Sequence, residues 1–324
     1  MAQSCAASGT PAGSALRVAA KETVAEGVVA LTLRHPDDRR LPDWAPGAHI
    51  DLMLPSGVTR QYSLCGDRWD AYSYRVGILR ERDGRGGSAY IHDELAVGDI
   101  VGVGGPRNNF SLAPAPEYLF VAGGIGITPL IPMIVQAQLM GIPWRLLYGG
   151  RTRSSMAFLD ELAGYGDRVR VTPQDEYGLL DLPAPLAAAA ASDAKVYACG
   201  PEPLLRAVDT CCADWPAGKL RTERFVPKQQ GAPARTTPFV VELARTGLTV
   251  TVTPDTSVLE TVARAGVNVL SSCREGTCGT CETTVLSGAP DHRDSILDDD
   301  ARSAGECMFI CVSRACSDRL VLDL

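Results

Sequence analysis

Three cysteines lie within nine residues of this chain, in the stretch Cys273-Arg-Glu-Gly-Thr-Cys278-Gly-Thr-Cys281. This C-x4-C-x2-C spacing, completed by one more distant cysteine, is how plant-type [2Fe-2S] clusters are bound. Gly276 and Gly279 permit the close backbone approach that the loop needs if its amide groups are to point at the sulfur atoms. The stretch therefore predicts one-electron transfer as the class of chemistry.

The fourth cluster ligand has to come from a later segment, and spacing alone does not select it among Cys307, Cys311 and Cys316. A structural zinc site and a group of buried free thiols are the alternatives to a cluster. Structural zinc sites usually combine two short motifs that each supply two Cys or His ligands, whereas this chain shows only one such motif. A disulfide framework is disfavoured because the 11 cysteines are an odd number and no secretory signature precedes them.

Length and charge narrow the class of protein. The 324 residues suffice for two or three domains, and the net charge of −7 argues against a nucleic-acid partner, which would require a basic surface. Residues 1–15 are expected to form a disordered tail and not a signal peptide or an anchor. The uncharged residues 118–144 are interrupted by glycines and prolines, which predicts a buried strand, a turn and a packed helix instead of a membrane span. We therefore expect a cytoplasmic location.

Two regions with different hydrophobic patterns precede the cysteine-rich part of the sequence. Residues 16–112 contain short alternating or β-branched runs between Pro, Gly and Asp, which predicts an antiparallel β-barrel. Residues 113–226 alternate apolar strands with helical segments, around residues 129–140 and 155–162 among others, and this indicates an α/β domain with a parallel sheet.

A linker and a third domain complete the predicted organisation. Residues 227–238 are rich in Pro, Gln and small side chains, which is typical of a linker. Residues 239–324 are predicted to form the α+β domain that carries the cluster. Within it, Ser257-Val-Leu-Glu260 is a capping-box pattern and predicts the start of a helix.

The α/β domain opens with a strand that runs into a glycine turn and then a helix, in Phe120-Val-Ala-Gly-Gly-Ile-Gly-Ile-Thr-Pro-Leu130. Such a turn lets backbone N–H groups and a helix N-terminus face a pyrophosphate. Gly124-x-Gly126 lacks the third glycine of the strict dinucleotide fingerprint, so an ordinary strand-to-helix turn is the alternative.

A second turn in the same domain, Cys199-Gly200-Pro201, ends another buried strand. Ligands of parallel sheets bind beyond the carboxyl ends of the strands, so Cys199 is either a core thiol or a small residue against a nicotinamide. A nicotinamide delivers two electrons as a hydride, whereas a [2Fe-2S] cluster accepts one at a time. The combination requires an intermediary that can do both, which is a flavin.

The flavin candidate is Arg60-Gln-Tyr-Ser-Leu-Cys65 in the first domain. On an alternating strand, Arg60 and Tyr62 share one face and Ser63 points to the other. Arginine can hold a phosphate, tyrosine can pack on the ribityl chain or the ring, and serine can bond the flavin edge. The glycine-rich Asp83-Gly-Arg-Gly-Gly-Ser88 resembles a phosphate cradle. An ordinary strand and an ordinary loop are the alternatives.

Together, these motifs resemble those of the phthalate dioxygenase reductase and vanillate demethylase reductase family, within the ferredoxin-NADP reductase superfamily. The resemblance covers nearly the whole chain after the first fifteen residues, and it selects Cys311, followed by Val-Ser-Arg-Ala, as the fourth cluster ligand. The motifs occur in family order: Arg60, Tyr62 and Ser63 for the flavin; Gly86, Gly87 and Ser88 for its phosphate; Gly123, Gly124, Gly126, Thr128 and Pro129 for the nucleotide; then Cys199, Gly200 and Pro201; and finally the cluster cysteines.

The resemblance implies FMN instead of FAD, NADH as donor, a plant-type cluster in a C-terminal β-grasp domain, and a Rieske-type terminal oxygenase as partner, acting on an aromatic or similar small substrate. Hydride transfer would occur with Cys199 and Thr128 lining the contact, and Phe225 would lie near the flavin ring. Gly77 and Ile78 are also assigned to the cofactor sites. The same electron chain serving a haem-thiolate monooxygenase or another acceptor is the alternative, and a zinc-stabilised or redox-sensing module is a more distant one.

Two charged segments remain open to interpretation. Gly-Gly-Arg151-Thr-Arg153 occupies the place where a site selective for NADH often has an acid, so Arg151 is a candidate nucleotide ligand and use of NADPH stays open. A pair of solvated arginines is the alternative. The acidic run of Asp291, Asp294, Asp298, Asp299 and Asp300 could steer a basic partner, but it is interpreted as a solvated loop.

Overall fold

A computed structural model describes residues 14–81, 84, 86–228 and 230–324. The chain forms two compact units, of which the first ends at Glu223 and the second contains Arg224–Leu324. The tail predicted for residues 1–15 lies outside the described residues except for Ser14 and Ala15, which already belong to the first strand. Among the described residues, no helix combines the length and the apolar character needed to cross a bilayer.

The first half of the first unit is a closed antiparallel barrel. Its six strands are hydrogen-bonded in the order β4-β3-β6-β1-β2-β5, and a bridge between Leu64 and Val76 joins the two outer strands. Inward side chains such as Leu31 and Ile50 are completely buried, and each such aliphatic side chain contributes about 1.5–3 kcal/mol. The predicted barrel is confirmed. Its elements are β1 (Ser14–Ala25), β2 (Val28–Arg34), β3 (His49–Met53), β4 (Thr59–Ser63), β5 (Ser73–Leu79), α1 (Gly87–Asp93) and β6 (Ile100–Arg107).

The second half of this unit is a five-stranded parallel sheet in the order β11-β10-β7-β8-β9. Because all strands run in one direction, the loops at their carboxyl ends gather at one edge. The predicted parallel α/β fold is confirmed. Its elements are β7 (Tyr118–Gly123), α2 (Leu130–Leu139), β8 (Trp144–Gly150), α3 (Leu159–Ala163), β9 (Val169–Pro173), α4 (Gln174–Tyr177), α5 (Pro183–Ala190), β10 (Lys195–Cys199), α6 (Glu202–Cys211) and β11 (Leu220–Glu223).

One predicted helix of the sheet begins later than expected. The helix assigned to residues 155–162 starts only at Leu159. The residue before it, Phe158, has a left-handed backbone with φ of 62° and is buried, with its ring under the guanidinium of Arg75 at 4.9 Å. The tertiary contact of this aromatic ring therefore overrides the local helical pattern.

The barrel and the parallel sheet pack against each other within the first unit. A Cβ atom at Gly77 of β5 would lie 2.8 Å from the Thr128 methyl group and 3.1 Å from the Phe158 ring. Arg75 of the same strand donates to Glu161 of α3 at 2.8 Å. The side-chain-free surface at Gly77 is therefore what lets strand β5 approach the turn after β7.

The second unit is a mixed five-stranded sheet in the order β13-β12-β18-β14-β16, with β12 and β18 parallel. Helix α7 begins with the predicted capping box, in which Ser257 and Glu260 each accept a bond from the other's backbone. Residues 224–238 carry no helix or strand where they are described. The elements are β12 (Phe239–Leu243), β13 (Leu248–Val252), α7 (Val258–Arg264), β14 (Glu282–Ser287), β15 (Pro290–Asp291), α8 (Asp299–Ala304), β16 (Cys307–Phe309), β17 (Arg314–Ala315) and β18 (Arg319–Leu322).

Candidate functional site

Two loops at the carboxyl edge of the parallel sheet touch each other, and glycines make the contact possible. A Cβ atom at Gly126 would collide with the carbonyl oxygen of Cys199, and one at Gly123 would lie 2.6 Å from Cδ of Pro201. A Cβ atom at Gly200 would lie 2.9 Å from the Cα and N atoms of Gly123. The structure thus brings the predicted nucleotide turn and the Cys199-Gly200-Pro201 turn together, even though the turn lacks a third fingerprint glycine.

Thr128 and Pro129 close this turn. Gly124 has a left-handed φ of 52°, which favours glycine at the start of the turn. The Thr128 hydroxyl donates to the carbonyl of Ile125 at 2.9 Å, and its methyl group faces Gly77 of the barrel. Pro129 is the N-cap of α2. Thr128 therefore lies at the junction of the two predicted cofactor sites, but its hydroxyl already has a partner within the turn.

A half-buried carboxyl group that sequence reasoning missed, Glu223, joins the same two sites. Cys199 and Glu223 are register partners on the adjacent parallel strands β10 and β11, and the Cys199 thiol donates to Glu223 Oε2 at 3.9 Å. The Ser63 hydroxyl of the predicted flavin motif hydrogen-bonds the same carboxyl group. Glu223 therefore connects the predicted nicotinamide residue to the predicted flavin residue. The available signal was its place two residues before Phe225 in Glu-Arg-Phe.

Burial changes the protonation of this group. Burial raises the pKa of Glu223 to about 8, although the bonds from Cys199 and Ser63 act in the opposite direction. Burial, and then the nearby Glu223 carboxylate, raise the pKa of Cys199 well above the ordinary thiol value. At neutral pH both side chains are protonated, so they can hold or pass a proton but carry no charge.

The predicted flavin residues line one end of the barrel. Arg60 on β4 packs against α1, because a Cβ atom at Gly87 would lie 2.9 Å from Arg60 Cγ. Ser88 is buried and its hydroxyl accepts from the Glu81 N–H at 3.0 Å, while Gly86 has a left-handed φ of 79° before the helix. An arginine beside a glycine-rich helix start is suited to a phosphate group. Asp83 and Arg85 of the predicted cradle lie outside the described residues.

The remaining predicted flavin contacts differ in position. Burial raises the pKa of the Tyr62 hydroxyl on β4, which keeps the ring neutral. Gly77 lies at the junction with Thr128, whereas the Ile78 side chain is completely buried in the barrel core, so only its backbone can reach a cofactor. Phe225 belongs to the second unit and is 43% exposed.

An acid that sequence reasoning missed, Glu176, lies against the side chain of Arg153. Glu176 in α4, just beyond the carboxyl end of β9, contacts Arg153 at two points, 3.3 and 3.4 Å. The Asp175 N–H also donates to the Arg151 carbonyl at 3.2 Å. Strands β8 and β9 are parallel neighbours, so they end at the same edge of the sheet. Glu176, which follows β9, therefore supplies the acid that the segment after β8 lacks. The ion pair compensates one of the two arginine charges that would attract a 2′-phosphate.

The cluster loop of the second unit has the predicted form. The amides of Glu275 and Thr280 donate to the sulfur atoms of Cys273 and Cys278 at 3.3 and 3.5 Å. Gly276 and Gly279 both have left-handed φ angles, 72° and 77°, as the tight loop requires. Backbone donors aimed at sulfur are what an anionic cluster needs, so the residues present fit a [2Fe-2S] group.

The structure brings Cys311, among the three candidates, to the loop. Hydrogen bonding with Cys278 and Cys311 lowers the pKa of Cys273, and hydrogen bonding with Cys311 lowers the pKa of Cys281. Cys307 lies on strand β16, and the exposed Cys316 donates instead to the Pro290 carbonyl at 3.7 Å. The four predicted ligands Cys273, Cys278, Cys281 and Cys311 therefore form one group.

Similarity to known proteins agrees with this geometry. Residues 241–316 match the family described as 2Fe-2S iron-sulfur cluster binding domain. The phenoxybenzoate dioxygenase subunit beta of Ectopseudomonas oleovorans is 44% identical over 98% of this chain and 99% of its own length. The structure of phthalate dioxygenase reductase, described as modular for electron transfer from pyridine nucleotides to [2Fe-2S], is 36% identical with a TM-score of 0.67 and covers 96% of this chain and 98% of that one.

A further solved structure is longer than this chain. An intact type IV self-sufficient cytochrome P450 monooxygenase is 45% identical with a TM-score of 0.91, and the match covers 96% of this chain but 41% of that protein. This chain thus spans less than half the length of that relative.

The fold and the similarities define a flavin and iron-sulfur oxidoreductase whose relatives include components of oxygenase systems. The chain belongs to the phthalate dioxygenase reductase family. It is an NADH-dependent enzyme, and the predicted cofactors FMN, NADH and a [2Fe-2S] cluster are confirmed, which sets the zinc alternative aside.

We predict that Glu176→Gln increases the use of NADPH. Loss of the pair with Arg153 frees a guanidinium for a 2′-phosphate and removes a repelling carboxylate. We expect kcat/KM for NADPH to rise by up to about fivefold, because exposed ion pairs are worth about 0–1 kcal/mol. Steady-state kinetics with both donors measure the ratio. The control Asp167→Asn removes an exposed acid at the amino end of β9 and leaves the ratio unchanged. An equal ratio in both variants contradicts this assignment.

We predict that Glu223 imposes a pH dependence on the stability of the first unit. Its pKa rises from the ordinary 4.5 to about 8 on folding, so the folded chain holds an extra proton between these values. The free energy of unfolding therefore falls as pH rises through this window, and the contribution is lost above pH 8. Urea unfolding followed by flavin fluorescence measures this slope. Glu223→Gln flattens it, and Glu22→Gln, on the exposed side of β1, retains it.

Proposed function

We propose that this chain passes electrons from NADH through FMN and its [2Fe-2S] cluster to a Rieske-type terminal oxygenase that acts on an aromatic or similar small substrate. The observation that carries the proposal is the meeting of Cys199, Glu223 and Ser63, which links the donor side to the flavin side within one compact unit. The cytoplasm is the proposed location, since NADH is available there and thiols remain reduced for cluster binding.

Each group of residues has a proposed task in this electron path. When bound, the flavin accepts a hydride from NADH and delivers single electrons to the cluster. The glycine turn and the N-terminus of α2 hold the pyrophosphate, and Arg60 with the start of α1 holds the flavin phosphate. Cys199 and Thr128 fix the distance between the nicotinamide and the flavin by packing, because both are almost completely buried.

Glu223 is proposed to move a proton at this junction. It is a neutral acid at neutral pH, it receives hydrogen bonds from Cys199 and Ser63, and Ser63 is the residue predicted to bond the flavin edge. A carboxyl group with a pKa near the working pH can exchange protons in both directions. The pair of Ser63 and Glu223 therefore offers a path for the proton that accompanies flavin oxidation and reduction.

A haem-thiolate monooxygenase is the second candidate acceptor. The observation that favours it is the 45% identity to the self-sufficient cytochrome P450 monooxygenase, which exceeds the 36% identity to phthalate dioxygenase reductase. The Rieske-type partner is preferred because phenoxybenzoate dioxygenase subunit beta matches this chain from end to end, at 98% and 99% coverage.

We predict that the reduced protein transfers electrons to the Rieske oxygenase encoded nearest to its gene. Anaerobic protein reduced with NADH is mixed with the oxygenase in a stopped-flow instrument, and the absorbance of the Rieske centre is followed. We expect saturable bleaching at a rate at least about tenfold above that with an unrelated cytochrome P450, a difference of ~1.4 kcal/mol. Faster reduction of the cytochrome P450, with its ferrous carbon monoxide complex as readout, would favour the second candidate.

We predict that Cys278→Ser separates the two halves of the electron path. The variant loses a cluster ligand but leaves the first unit intact, so NADH still bleaches the flavin while reduction of the oxygenase falls by at least about a hundredfold. The matched control is Cys316→Ser, which changes an exposed cysteine that the cluster does not use and retains both reactions. Loss of flavin bleaching in Cys278→Ser contradicts the order of electron flow.

A further inference from the structure

The acidic run after β15 is not a solvated loop throughout. The Asp294 side chain is 0% exposed, although it lies in a run that was interpreted as solvent-facing. A buried carboxylate without compensating partners is unfavourable, so its position calls for a physical reason. The segment from Asp291 to Leu297, called here the acidic segment, provides one.

The acidic segment bonds to both parts of the chain that carry cluster ligands. The Ser295 N–H donates to the Gly276 carbonyl at 2.9 Å, between Cys273 and Cys278. The Arg293 N–H donates to the Ser313 hydroxyl at 3.2 Å, two residues after Cys311. The acidic segment therefore bridges the loop that holds three cysteines and the strand end that holds the fourth.

The three segments also lie too close together to leave room for a side chain at Gly276. A Cβ atom at Gly276 would lie 3.0 Å from the Cα atom of Asp294 and 2.6 Å from Cγ2 of Val312. Any displacement of Asp294 toward Gly276 would therefore move the loop that carries Cys273 and Cys278. The position of this residue is transmitted to the ligands by contact.

The Asp294 carboxylate organises the acidic segment internally. Its Oδ1 atom accepts from the N–H groups of Ile296 and Leu297, at 2.9 and 2.8 Å. The guanidinium of Arg302 lies 3.7 Å from the same oxygen and donates to the carbonyls of His292, Asp294 and Leu297, at 3.2, 2.7 and 3.0 Å. A neutral side chain that accepted two amides would provide the same turn, so the turn alone does not require a charge.

The second carboxylate oxygen indicates a role for the charge. Within the described part of the chain, Asp294 Oδ2 has no hydrogen-bond partner, and Nδ1 of the His292 ring lies 4.0 Å from it. The negative charge is therefore compensated only in part, by Arg302 on one side. An electron added to an adjacent cluster increases its negative charge, and an incompletely screened carboxylate opposes that addition.

We propose that Asp294 is a positioning residue for the iron-sulfur cluster, which aligns the two ligand-bearing segments and lowers the reduction potential of the cluster through its buried charge. The positive charge of Arg302 limits this lowering of the reduction potential. This inference rests on the cluster and not on the acceptor, because potential and iron release are measured without a partner protein.

The charge is tested by potentiometric titration of the full-length holoprotein. Asp294→Asn keeps an acceptor for Ile296 and Leu297 but removes the charge, so the potential rises, and the electron distribution shifts about tenfold toward the cluster, which is ~59 mV for one electron. The matched control is Asp298→Asn, which removes an exposed charge at the N-cap of α8 and leaves the potential unchanged. Equal potentials in Asp294→Asn and wild type overturn the proposal.

Two further variants separate charge from disturbance of the structure. Arg302→Gln removes the opposite charge, so we expect the potential to fall, and a rise in both variants would attribute the effects to disruption instead. Ser313→Ala breaks the bond to Arg293 without changing charge, and we expect iron release to a chelator to accelerate about fivefold at an unchanged potential, which corresponds to ~1 kcal/mol. Unchanged release in Ser313→Ala would overturn the alignment role, and it remains measurable if Asp294→Asn fails to fold.

Discussion

The close approach of barrel strand β5 to the turn after β7 is the constraint on which the proposed electron path depends. A hydride moves only between groups in contact, so the flavin and nicotinamide sites have to share a boundary. Gly77 makes that boundary narrow, since a side chain there would meet the Thr128 methyl group at 2.8 Å. The ion pair between Arg75 and Glu161, at 2.8 Å, joins strand β5 to helix α3 at the same boundary. In the proposed electron path, oxidation of the donor therefore requires both packed domains.

In the second unit, one short loop presents three of the four proposed cluster ligands. Its loop from Cys273 to Cys281 is short, and amides within the loop point at the sulfur atoms at 3.3–3.5 Å. The fourth cysteine is distant in sequence, so its alignment depends on tertiary contacts through Gly276 and Ser313. The identity of the first three ligands is therefore a local property, whereas the choice and the alignment of the fourth are properties of the whole unit.

The sequence predicted what short-range patterns encode. The barrel and sheet strands, the capping box at Ser257 and the cluster loop all follow from spacing and residue type. Glu223 was missed because its contact with Cys199 depends on the order of strands in the sheet, which no local pattern contains. Asp294 was interpreted as solvated because its neighbours are acidic, whereas tertiary packing covers it. The late start of α3 likewise follows from the packing of Phe158 and not from helix propensity.

Burial of Cys199 also has a consequence for chemical durability. Reduced flavins pass electrons to oxygen, so at the proposed flavin site the Cys199 thiol would meet the peroxide that forms there. Peroxide and alkylating reagents attack the thiolate, and the raised pKa of Cys199 together with its 0% exposure withholds that form. The exposed Cys211 and Cys316 are available to such oxidants instead. Cys199 is therefore less susceptible to oxidation than Cys211 and Cys316 on the protein surface.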